Sequence, residues 1–107
     1  PFTGVRRFHN GIDIAYAPGT SIHAAMAGKV ARIGFHPSYG KYVIITHDGG
    51  LQTFYAHLQT IAVPMGKTVA QGSIIGEMGS TGYSTGSHLH FSIFKNGNPI
   101  DPMQYFK

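Results

Sequence analysis

The 107-residue sequence reads as a single all-β domain of antiparallel strands. Two observations lead there. Fifteen glycines and six prolines punctuate short β-branched and aromatic runs, and no stretch of about a dozen residues repeats apolar side chains at i, i+3, i+4 and i+7 as a surface helix does. The length allows one core, and a 42% hydrophobic content can fill it.

Taken in chain order, the first segment of note is Phe8-His9-Asn10-Gly11-Ile12-Asp13-Ile14. Gly11 and the β-branched neighbours disfavour a helix there, and Asn10-Gly11 supplies a bend because both residues tolerate positive φ. The clearest strands are residues 28–35, 41–47 and 51–58, the last two joined by Asp48-Gly49-Gly50 as a tight hairpin connection. Residues 73–78 and 88–94 are again short and β-rich. The second of these runs into Asn96-Gly97-Asn98-Pro99, a turn signal, and only residues 101–105 suit a helical turn. Residues 79–87 form a loop of three glycines and six hydroxyl side chains. A phosphate-cradling loop needs a lysine after its glycines and a helix beyond, whereas Ser87 leads into a strand.

Composition removes several function classes. Without cysteine there is no disulfide framework, thiolate metal site or Cys nucleophile. The longest apolar runs, such as residues 42–45, fall far short of the ~20 residues of a membrane-spanning helix. Eight basic residues against four acidic ones give a net charge of +4, which favours acidic partners. A start at Pro1, with neither Met nor a charged-then-apolar leader, leads us to expect a piece of a longer protein. Histidine stands out, with seven imidazoles against four carboxylates.

Strand alternation places His88, His90 and Ser92 on one face, with Leu89, Phe91 and Ile93 on the other. That polar face reads as the wall of a site; a solvated sheet face carrying two histidines is the competing explanation. His9 and Asp13 lie ~13 Å apart on an extended strand, too far to share one ion, so the chain must bend between them. The same alternation groups His57 with Tyr55, opposite Phe54, Ala56 and Leu58. His23, His36 and His47 sit at strand ends or in loops, where single histidines are commonly satisfied surface groups. Two imidazoles and a carboxylate suit a catalytic zinc that keeps one position for water, and His9, Asp13 and one of His88 or His90 make that set. The one glutamate, Glu77, lies in no histidine-bearing segment, which excludes a helical His-Glu-x-x-His site and leaves imidazole as the general base.

The order His9-x-x-x-Asp13, Tyr55-Ala56-His57-Leu58, Gly79-Ser80-Thr81-Gly82 and His88-Leu89-His90-Phe91 resembles the lysostaphin-type, or LytM-domain, zinc endopeptidases that cut peptidoglycan cross-links. The likeness runs nearly end to end, through Ala17-Pro18-Gly19-Thr20, Tyr42-Val43-Ile44-Ile45, residues 69–76 and Asn96-Gly97-Asn98-Pro99. It implies antiparallel sheets forming a groove (the duplicated hybrid motif fold), one zinc held by His9, Asp13 and His90, and His57 and His88 as catalytic histidines. Residues 35–40 and 79–87 would border the groove. Residues 1–107 would be one peptidase domain, the C-terminal catalytic part of a longer extracytoplasmic protein. Its partner would be peptidoglycan, with neither nucleic acid nor an integral membrane segment involved. Many members of the family carry glutamate where this chain has Ser92, which bears on substrate contacts or on support for His90.

Degenerate members of the family serve as inactive wall-binding or hydrolase-activating modules. They have typically lost ligand residues, whereas all five positions are filled here. Residues 63–76 also resemble a stretch of biotinyl and lipoyl carrier domains, but neither Lys67 nor Lys41 stands in the setting that cofactor attachment requires.

Overall fold

The computed structural model describes residues 5–8, 11–15, 17–79 and 88–102, the first four as backbone only. Its strands are β1 (Val5–Phe8), β2 (Gly11–Ile14), β3 (Ser21–His23), β4 (Gly28–His36), β5 (Gly40–Thr46), β6 (Leu51–Ile61), β7 (Thr68–Val69), β8 (Ile74–Met78), β9 (Leu89–Lys95) and β10 (Asn98–Ile100). Every pairing among them is antiparallel, as expected for an all-β chain of hairpins. The sheet runs β1-β2-β9-β6-β5-β4-β7, with β10 added beside β9 and β8 linking β6 to β3.

The long strands fall where β-branched and aromatic runs placed them. The strands not foreseen are β1, β2, β7 and β10, which span two to four residues, too few to show a period, whereas β3 falls in the short β run that ends at His23. Asp48–Gly50 forms a 3₁₀ turn, with Gly49 and Gly50 at φ +76° and +78°. The signal at residues 96–99 resolves into a two-residue turn and a strand. Asn96 (φ +52°) and Gly97 (φ +84°) reverse the chain, and Asn98 pairs with Lys95. Of the expected helical turn only residues 101–102 are described, and residues 80–87 of the glycine-rich loop lie outside the described residues.

One cluster of apolar side chains forms the core. Val43 and Ile45 of β5, Leu58 of β6, Ile75 of β8 and Ile93 of β9 are fully sealed from water, and each such burial contributes roughly 1.5–3 kcal/mol. Leu89, Phe91 and Ile93 all point inward, as alternation along β9 predicts.

A polar chain crosses this core. The Ala25 N–H donates to the Tyr55 hydroxyl (3.0 Å), and Tyr55 donates to Thr53 Oγ1 (2.8 Å). Thr53 Oγ1 lies 2.8 Å from His47 Nε2, and His47 Nδ1 lies 2.7 Å from the Ala27 carbonyl. One assignment satisfies every group: Thr53 donates to Nε2, and Nδ1–H donates to Ala27. Burial pushes the Tyr55 phenol up from 10.0, against the opposing pull of its bonds to Thr53 and Ala25. His47 is therefore half-buried structural scaffolding and not the surface group its position suggested.

Candidate active site

Strand register assembles the site. Pairing of β2 with β9 sets Asp13 opposite His90, and pairing of β6 with β9 sets Ala56 opposite His90 on the other side. His90 Nδ1 lies 2.7 Å from Asp13 Oδ1. Just before β9, His88 forms a bridge with Gly79, and its Nε2 stands 3.8 Å from Asp13 Oδ2. The rings of His57 and His88 are 4.5 Å apart, centroid to centroid. Asp13, His57, His88 and His90 are thus brought together from three separate stretches of chain, while His9 lies outside the described residues.

His57 arrives by a route that alternation misses. Tyr55 is in the core against Phe91 (5.3 Å between rings), and Phe54 is on the side of His90 (6.3 Å). The expected grouping of His57 with Tyr55 is therefore overturned. Tyr55 and Leu58 both face the core although they are three residues apart, so one residue is inserted into the alternation. The insertion sits where β6 leaves β9 for β8, and His57 absorbs it at φ +64°. Two backbone bonds hold that conformation: His57 N–H donates to the Tyr39 carbonyl (2.8 Å), and the His57 carbonyl accepts from Gly79 N–H (3.2 Å).

From His90 a groove of about 320 Å³ runs along the outer face of β9, β6 and β5, over Tyr39, Ile44, Phe54, Ser92 and Phe94. Tyr39 borders it, as expected for the tip of the β4–β5 hairpin. Its floor is more aromatic than the polar face expected of His88, His90 and Ser92. The role of Phe54 beside His90 was missed, since the residue that reverses the face lies beyond it, at position 57. Ser92 is buried, with Oγ 3.0 Å from His90 Nε2. His23 and His36 are exposed, and His36 Nδ1 accepts from the Ser38 N–H.

Among the described residues no three histidine or carboxylate side chains form a metal-binding group. The two described members of the expected ligand set nevertheless meet, as a carboxylate oxygen and an imidazole nitrogen at the end of a groove. Nitrogen and oxygen donors of this kind suit zinc. The donor chemistry therefore fits the ion.

In its antiparallel fold the chain is similar to the lysostaphin-like peptidase domains, a class represented among solved structures. The profile of peptidase family M23 matches residues 7–102, and the chain belongs to that family. It is 41% identical over 103 residues to the DD-carboxypeptidase/endopeptidase Mpg of Neisseria meningitidis serogroup B, an alignment covering 96% of this chain and 24% of the relative. Among solved structures it resembles a zinc-containing peptidase from Vibrio cholerae (39% identity, TM-score 0.86, 89% of this chain and 29% of that one). It also resembles the catalytic domain of the antimicrobial peptidase lysostaphin from Staphylococcus simulans (36% identity, TM-score 0.84, 92% of this chain and 78% of that one). The chain thus spans about a quarter of the length of the curated relative.

Proposed function

We propose that this chain is the catalytic domain of a longer, extracytoplasmic, zinc-dependent endopeptidase that hydrolyses amide bonds in peptidoglycan. His9, Asp13 and His90 would hold one zinc ion, and His57 and His88 would carry protons. The observation that supports this best is the meeting of Asp13 with His90 and His88 at the groove's end, with the His57 ring against His88. Membership of family M23 and the relatives' peptidase names point the same way.

A zinc ion held by His9, Asp13 and His90 would supply Lewis-acid polarisation of the scissile carbonyl and activation of a water. The protein's own contribution is placement of groups. The groove over Phe54 and Tyr39 receives an extended peptide beside His90. Of the His57 and His88 pair, one ring takes the water's proton and passes it to the leaving amine, and the other donates a hydrogen bond to the oxygen that gains charge. Each such role is worth on the order of 10²-fold in rate or more.

The test is digestion of purified sacculi, both glycine-bridged and D-amino-acid-linked, with released fragments identified by mass spectrometry. Wild type should release peptide fragments. Asp13→Ala and His90→Ala should lose zinc and cleavage together, whereas His57→Ala should keep zinc and lose turnover. A zinc-loaded wild type that binds sacculi of both kinds and releases nothing would replace this reading with a wall-binding module.

A further inference from the structure

We propose that Ser92 is a positioning residue that, with Gly11, holds the His90 ring so that Nδ1 points to the metal position. This deepens the zinc reading above and rests on it. Ser92 is 2% exposed, and Oγ lies 3.0 Å from His90 Nε2 while the other ring nitrogen meets Asp13. The ring is thus pinned at both nitrogens.

Gly11 supplies the space. A Cβ built there would stand 2.6 Å from Ser92 Oγ and 3.0 Å from His90 Cε1. Ser92 Oγ and the edge of the His90 ring therefore occupy volume that any side chain at position 11 would claim.

A hydroxyl suits this place because it both donates and accepts. Without metal, Nδ1 faces the Asp13 carboxylate at 2.7 Å and Nε2 faces the Ser92 hydroxyl at 3.0 Å. To ligate through Nδ1, the ring must carry its single proton on Nε2, which then donates to Ser92 Oγ. The serine hydroxyl can rotate either to donate to Nε2 or to accept from Nε2–H. Alanine does neither, and threonine does both.

The experiment measures zinc affinity by competition with a chromophoric chelator. It also records long-range ¹⁵N NMR of the His90 ring, with and without zinc, for wild type, Ser92→Ala and Ser92→Thr. Ser92→Ala should bind zinc about 10- to 100-fold more weakly, and Ser92→Thr should bind within a few-fold of wild type. In metal-free protein the Nε2 resonance should move in the alanine variant and return in the threonine variant. Loaded wild type should show the proton on Nε2. An alanine variant with wild-type zinc affinity and an unmoved Nε2 resonance would overturn the proposal. If wild type binds no zinc, the metal reading and the metal-directed role fall together, and the metal-free Nε2 resonance still decides whether Ser92 orients the ring. Gly11→Ala should also weaken zinc, but its Cβ would meet the Phe91 carbonyl at 2.8 Å and disturb β2 as well, so the Ser92 variants decide.

Discussion

Replacing His57 by alanine and by glycine separates the conformational cost of this site from its chemistry. Both variants delete the same ring and leave the same space, so those losses cancel when the two are compared. They differ in the backbone. At φ +64° a residue with a Cβ pays about 1–2 kcal/mol that glycine does not. Glycine ordinarily costs about 0.5–1 kcal/mol relative to alanine through its greater freedom in the unfolded chain. The balance favours His57→Gly over His57→Ala by about 0.5–1 kcal/mol, the reverse of the order expected in the middle of a strand. For a domain of this size that is a difference of a few degrees in Tm. Urea and thermal unfolding should be followed by circular dichroism in the presence of chelator, so that metal binding does not add to the apparent stability. An alanine variant as stable as the glycine variant, with equal m values, would refute the inserted-residue account of how His57 reaches the site. Both variants should be inactive on sacculi, which separates strain from function.

Two further expectations concern the scaffold. Tyr55 has its pKa raised by burial, so the fold favours the neutral phenol. Its contribution is complete below pH ~10 and is lost as pH climbs through the raised value. Tyr55→Phe should lose about 1–2 kcal/mol at pH 8, where Thr53 and the Ala25 N–H lose their partner, yet decline less steeply than wild type at alkaline pH; parallel decline in the two proteins would contradict the assignment. Gly28→Ala should cost about 1–3 kcal/mol, because its Cβ would meet the Thr46 carbonyl and stand 2.7 Å from His47 Nδ1 and 2.8 Å from Ile45 Cγ2. An unchanged denaturation midpoint would show that β4 and β5 can part without cost.

Much of the fold was legible because its long strands carry their own signal. The β-branched runs of β4, β5, β6 and β9 and the glycines between them mark strands and reversals locally, and Leu89, Phe91 and Ile93 mark the core by alternation alone. The union of Asp13 with His88 and His90 was legible in outline, through residue types and a family resemblance. Spacing could not choose between His88 and His90, since alternation gives both the same face. What remained hidden depends on contacts between distant parts of the chain. One inserted residue at His57 places Phe54 under the groove and Tyr55 in the core. The closeness of Gly11 to Ser92 and the chain from His47 through Thr53 to Tyr55 exist only once strand register is set.

Crystals of zinc-reconstituted protein, with diffraction recorded on both sides of the zinc absorption edge, give the most direct test of the ligand assignment. One anomalous peak should lie against the Asp13 carboxylate and His90 Nδ1, within ~2.1 Å of its ligands, and vanish in Asp13→Ala crystals. A peak at other side chains, or none at full zinc loading, would contradict the account.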